Sequence, residues 1–180
     1  MKKITTILIA FISCSGVAMS QAVLTPVAAS SKVHFVIKNF GIKTGGDFSG
    51  LKGTIKFNPA SLATSAFDIT VDAATINTDN ESRDGHLRKA EYFDAATYKT
   101  IHFKSTGVTL SSVKGRFFIS GNLTIKGVTK PVQFGFSATP KDGGYVFAGE
   151  FNINRRDFGV GGSSVSMSDN LTVSLSVLAK

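Results

Sequence analysis

From Lys32 onward the chain reads as short runs in which every second residue is apolar. Lys32–Asn39 sets Val33, Phe35 and Ile37 on one face, and Gly53–Phe57 does the same with Ile55 and Phe57. Ala66–Asp72 opposes Phe67, Ile69 and Val71 to Asp68, Thr70 and Asp72. Thr100–Leu110 begins with Ile101 and Phe103, and Arg116–Lys126 carries Phe117, Ile119, Leu123 and Ile125. Pro131–Ala138 carries Val132, Phe134 and Phe136, and Tyr145–Asn154 carries Phe147, Phe151 and Ile153. Leu171–Leu178 alternates most cleanly, with Leu171, Val173, Leu175 and Val177 against Thr172, Ser174 and Ser176. A period of two describes strands with one face buried and one wetted. The joins Lys126-Gly127-Val128-Thr129 and Lys141-Asp142-Gly143-Gly144 have turn composition. The expectation is an all-β chain of eight antiparallel strands closed into a barrel, which removes exposed edges. Eight strands enclose an interior that side chains fill or that holds one ligand. A two-sheet sandwich satisfies the same alternation.

Two segments break the rhythm. Asn77–Tyr98 is charged and lacks alternation, and it predicts a short helical insertion capped by Asp84, placed where a lid or plug would sit. Val23–Ser31 reads as a mobile leader into the domain. Ahead of it, Lys2 and Lys3, the apolar stretch Ile4–Val17 and the small residues of Ser20-Gln21-Ala22 have the plan of a secretory signal peptide over residues 1–22. A competing reading takes Phe11-Ile12-Ser13-Cys14 as a lipoprotein processing site that leaves a lipid on Cys14. Residues 23–180 are then one exported domain, with no further stretch long and apolar enough to span a bilayer as a helix.

Composition sharpens this picture. The chain has 15 Phe and no Trp, so its interior surface is large, greasy and short of polar handles. Its one cysteine, Cys14, lies in the leader, so the domain has neither a disulfide nor a thiol nucleophile. The net charge of +8 is spread along the sequence, with only Arg88-Lys89 and Arg155-Arg156 adjacent in the domain. That spread describes a solvated basic surface, with weak attraction to anionic lipid headgroups as the functional reading. It argues against a nucleic-acid partner.

Candidate chemistry is sparse. His34, His86 and His102 are isolated from one another, and zinc needs clustered ligands. Asp79, Glu81, Asp84 and His86 are the densest set of ligand-type residues, and a solvated loop explains them better than a metal does. No Gly-x-Ser-x-Gly elbow occurs, and Gly159-Val160-Gly161-Gly162 does not open a helix as a phosphate loop would. The expectation is no catalytic residue, no metal and no cofactor. Arg83-Asp84 and Arg155-Arg156-Asp157 are read as structural ion pairs that pin the insertion to the barrel.

Arg83-Asp84-Gly85-His86-Leu87, Glu91-Tyr92-Phe93-Asp94, Ile101-His102-Phe103-Lys104-Ser105, the run Gly121–Val132 and Asn154-Arg155-Arg156-Asp157-Phe158-Gly159 together resemble the YceI-like family of exported, lipocalin-like proteins. The likeness spans nearly all of the domain in order. The chain departs from the family in carrying Lys99 where Pro is common and Tyr92 where Phe is common. The resemblance implies an extended antiparallel, lipocalin-like barrel in the periplasm whose tunnel holds a polyisoprenoid chain, such as a quinone tail or a polyprenyl lipid. Burying one isoprene unit gains roughly 3–4 kcal/mol gross at about 0.8 kcal/mol per CH₂, and ordering the flexible chain offsets part of it. The inward positions that would line such a tunnel are Phe35, Phe57, Phe67, Ile69, Phe103, Phe117, Phe134, Phe136, Phe151 and Leu175. Ordinary core packing explains any single one of them equally well. The alternatives are a structural or partner-binding barrel with a filled interior, an enzyme acting on such a lipid with His86 as base, and a different long apolar ligand in the same tunnel.

Overall fold

The computed structural model describes residues 22–180. The signal peptide, its cleavage site and Cys14 therefore fall, apart from Ala22, outside the described residues. Ten strands follow in order: β1 (Val23–Leu24), β2 (Lys32–Asn39), β3 (Ile42–Phe48), β4 (Lys52–Lys56), β5 (Ala66–Asp72), β6 (Thr100–Leu110), β7 (Arg116–Ile125), β8 (Val128–Lys141), β9 (Gly144–Asn154) and β10 (Met167–Ala179). One α-helix, α1 (Glu81–Leu87), sits between β5 and β6. All ten strands join one antiparallel sheet in the order β1-β4-β5-β6-β7-β8-β9-β10-β2-β3. The sheet curls into a half-barrel. One seam is bridged where Val27 N–H donates to Leu178 O and Thr25 pairs with Lys180. The other is bridged by mutual bonds between Asp47 and Asn77 and by Asp72 N–H to Ser49 O.

The eight alternating runs are all strands, but the count of eight is corrected to ten and the closed barrel to a half-barrel, a single sheet that also rules out the alternative sandwich. β3 escapes the alternation because Gly45 and Gly46 interrupt it. These glycines serve packing rather than a turn. A Cβ at Gly46 would stand 2.6 Å from the ring of Phe35 on the neighbouring strand, so only glycine lets that ring lie across β3. The leader is also corrected, because β1 pairs with β4 and the following residues bond to the end of β10. In the insertion, Asn80 rather than Asp84 caps α1, its side-chain oxygen accepting from Arg83 N–H. A register shift between Ser105 and Gly107 reverses the facing of β6 and turns Val108 into the core.

The interior has two dense regions. At one end Ile55, Phe57, Phe67, Phe117, Phe136, Phe147 and Val177 form a packed core. Within it Phe57 meets Phe117, Tyr145 and Phe147 edge-on at 5.2–5.3 Å between ring centres, the arrangement that aromatic quadrupoles favour. At the other end Leu123, Ile125, Phe158 and Val160 form a smaller cluster, against which Tyr92 and Phe93 of the insertion pack.

Candidate functional site

Between these two clusters the inner wall is not closed. Phe35, Ile69, Phe103, Phe134, Phe151, Val173 and Leu175 face inward by strand parity, yet each is only half-buried. An inward side chain that still meets solvent lines a space rather than filling one. That space is a cavity of about 250 Å³, walled mostly by Phe, Ile, Leu and Val. It follows the inner face of β2 from Val33 to Asn39, a length of roughly 20 Å at the rise of an extended strand. Such a shape suits a long, thin, apolar occupant.

Of the ten residues expected to line a tunnel, Phe35, Phe67, Ile69, Phe103, Phe134, Phe136, Phe151 and Leu175 border this cavity. Phe134 stacks on Phe151 at 4.4 Å and leans on Phe103 at 5.8 Å, a continuous aromatic wall across β6, β8 and β9. Phe57 and Phe117 do not border it. They belong to the packed end, which stops the cavity. Alternation places a residue inside but says nothing of its depth along the axis, so these two looked like the other eight. The wall residues Ile37, Ile153, Leu171 and Met167 were not singled out from sequence. Ile37, Ile153 and Leu171 carried the same alternating signal. Met167 lies beyond a register shift in β10 and had none.

The polar residues of the wall gather beside the insertion: His34, Asn39, Thr44, Thr70, Thr78, Arg83 and Arg155. Four of them, His34, Thr44, Thr78 and Arg83, also border a polar hollow between β3 and the insertion that includes Lys43, Asp47 and Asp79. Arg83 does not pair with Asp84. Its Nε donates to Thr78 Oγ1 at 2.8 Å and its Nη2 to the Thr78 carbonyl at 2.7 Å. The buried Asp84 carboxylate accepts from Thr78 N–H at 2.9 Å and from Thr78 Oγ1 at 2.5 Å. Both charged residues thus clamp one threonine, which fixes the start of α1 against β3.

Arg155 is likewise not paired with Asp157. Its side chain is 4% exposed and forms a 2.8 Å ion pair with Asp169. It also donates to the carbonyls of Ser168, Val160 and Gly162 at 2.9–3.0 Å. One guanidinium gathers the loop after β9 and the start of β10, a task suited to its fork of donors. Tyr92 fits that loop, since a Cβ at Gly161 would stand 2.9 Å from its ring. Gly161 N–H donates to Glu91 O. The insertion is therefore pinned to the barrel end by the mutual Asp47–Asn77 bonds, by Gly161 N–H to Glu91 O and by the packing of Tyr92 and Phe93, while Arg155 braces the loop they rest on; neither expected pair forms.

The histidines stand apart. His34 bonds Asp47 at 2.7 Å beside the polar hollow, and His102 bonds Asp68 at 2.8 Å; both rings are partly exposed. The His102 hydrogen bond and charge, helped by Lys104, hold the Asp68 carboxyl below its ordinary value. His86 is exposed, with its ring against Tyr92 at 5.0 Å. Among the described residues no group of three His, Cys, Asp or Glu is placed to hold a metal, and no helix is long and apolar enough to cross a membrane.

A single antiparallel half-barrel around an apolar, elongated cavity, with one helix over its end, defines the class of lipocalin-like β-proteins. The profile of the YceI-like domain matches residues 24–179, and the chain belongs to that family. A UPF0312 protein of Vibrio cholerae is 31% identical over 145 residues, covering 77% of this chain and 76% of its own length. One of Azotobacter vinelandii is 34% identical, covering 71% and 70%. Among solved structures, BcnA of Burkholderia cenocepacia superposes with a TM-score of 0.79 at 25% identity, over 83% of this chain and 96% of its own. A polyisoprenoid binding domain from Saccharophagus degradans superposes with a TM-score of 0.68 at 18% identity, over 89% and 98%, and shares the fold.

Proposed function

We propose that this protein binds one polyisoprenoid lipid, a quinone or polyprenyl chain, in its cavity and acts in the periplasm as a carrier or sequestering protein rather than as an enzyme. The half-exposed apolar wall carries the reading. A barrel that served only as a scaffold would gain by filling this space, because each buried methylene contributes about 0.8 kcal/mol. An occupant that enters and leaves accounts for a wall left open. Phe, Leu and Ile walls recognise length and apolarity rather than hydrogen-bonding groups, which suits an isoprenoid tail. The family, together with a neighbour of the same fold that is named a polyisoprenoid binding domain, supports the same class of ligand. The chemistry of an enzyme finds little support here, since the cavity wall offers hydrogen-bonding side chains but no carboxylate or thiol. Export rests on the leader pattern of residues 1–22, with lipid attachment at Cys14 as its alternative.

The test is native mass spectrometry of the protein recovered from the periplasm after expression with its leader, followed by solvent extraction. A polyprenyl or quinone species near one per chain supports the reading and names the ligand. An empty protein that also takes up no added isoprenoid refutes it in favour of a structural barrel. The mass of the same sample places the processed N-terminus at Val23 or shows a lipid on Cys14.

A further inference from the structure

The hairpin between β2 and β3 turns through Phe40 and Gly41, at φ 49° and 76°. Two successive left-handed residues make the two-residue turn that matches strand twist, and it favours Asn, Asp or Gly at its first position. The same turn elsewhere in the chain uses Asp142-Gly143 and, with a flexible side chain first, Lys126-Gly127. A phenylalanine is the wrong residue there on two grounds. A bulky side chain is strained at positive φ, and this one is 79% exposed to water. Ile42, at the start of the next strand, is 71% exposed. Phe40 N–H donates to Ser166 O at 2.7 Å, which ties the turn to the loop that carries the fully exposed Val165. Behind this apolar tip, Lys38 and Lys43 stand directly opposite each other on β2 and β3. Like charges so placed repel, and neither is among the cations with an acidic partner within 4.0 Å in the described residues. The tip adjoins the cavity: Asn39, just before Phe40, and Met167, just after Ser166, both border it.

We infer that this tip docks the protein on a bilayer containing anionic phospholipid, with Phe40, Ile42 and Val165 in the boundary between headgroups and acyl chains and Lys38 and Lys43 against the headgroups. Apolar side chains inserted beside basic ones are the pattern of reversible interfacial binding. Each unfavourable feature is relieved by the same partner: the exposed apolar groups leave water, and the opposed ammonium groups gain counter-charges. Docking there sets the end of the cavity against the membrane, where a lipid enters without crossing water. That last step rests on the lipid-binding reading; the docking itself does not. Leu110 and Val113 form a second exposed apolar tip on the β6–β7 hairpin. It lies beside Phe117 at the packed end, remote from any opening, and so serves as the control.

The test is flotation of the full processed protein with vesicles of phosphatidylethanolamine and phosphatidylglycerol, and with vesicles of phosphatidylcholine alone. Wild type should float with the anionic vesicles and far less with the neutral ones. Phe40→Asn combined with Ile42→Ser should lower partition by about tenfold or more, and Lys38→Glu with Lys43→Glu should remove the preference for anionic vesicles. Because Asn suits the turn, Phe40→Asn alone should unfold at a higher temperature than wild type while binding vesicles less, which separates lost docking from lost folding. Leu110→Ser with Val113→Ser should bind as wild type does. The inference is overturned if wild type ignores anionic vesicles, if the Phe40 and Ile42 variants bind unchanged, if the Leu110 and Val113 variant is the one that loses binding, or if the tip instead joins two copies of the chain and keeps them off vesicles. Vesicle binding by a protein that holds no isoprenoid would sustain the docking and remove only the proposed cargo.

Discussion

Phe57→Ala and Phe134→Ala remove the same side chain from two inward positions, and the structure assigns them different costs. Phe57 is 6% exposed and sits among Phe67, Phe117, Phe136, Tyr145 and Phe147 at 5.2–6.4 Å between ring centres. Those five rings come from four strands and support one another, so they cannot all collapse into the vacancy. The loss should fall at the upper end of the range for buried Phe→Ala, about 4–5 kcal/mol. That is a large part of the roughly 5–15 kcal/mol that holds a domain folded. Phe134 is half-buried and borders the cavity. Deleting its ring enlarges an existing space instead of sealing a new void, so the cost falls to about 1–2 kcal/mol, mostly its contacts with Phe151 and Phe103. The assay is urea unfolding of delipidated protein, since a bound ligand adds stability by mass action. Equal losses at the two positions, or a greater loss at Phe134, would show that the supposed wall is a packed core and would refute the reasoning.

Leu175→Trp adds bulk to the middle of the cavity wall; native mass spectrometry should find it folded but without long-chain lipid. Arg155→Ala should cost about 3 kcal/mol or more in urea unfolding, because it leaves Asp169 and several carbonyls without their shared donor. Arg155→Lys should recover little of this loss, as one ammonium cannot reach the same spread of acceptors. Asp68 has a folded pKa below its unfolded value, so the stability it contributes is complete above about pH 4 and is lost as pH falls through the folded value. The urea midpoint of wild type should therefore approach that of Asp68→Asn as the pH is lowered below the ordinary carboxylate range, and by a small amount, since both partners are partly exposed.

The alternation of apolar and polar residues determined eight strands, their inward faces and their antiparallel order, because a period of two follows from the pleat itself and needs no partner to be visible. Its interruption also marked the insertion as a helical segment, and the shared motifs pointed to the family. β3 lay outside its reach, since Gly45 and Gly46 are set by the rings of His34 and Phe35 lying across them from another strand. Arg83 and Arg155 were legible as anchors, but their partners were not: Thr78 is a local partner that no helical spacing marks, and Asp169 meets Arg155 only across the loop between β9 and β10. Depth along the axis was likewise decided in three dimensions. Phe57 and Phe134 carry the same signal in sequence, yet the curl of the sheet draws its walls together around Phe57 and leaves them apart at Phe134. Parity along a strand is a local property of the backbone, whereas the width of the interior depends on how all the strands coil around it.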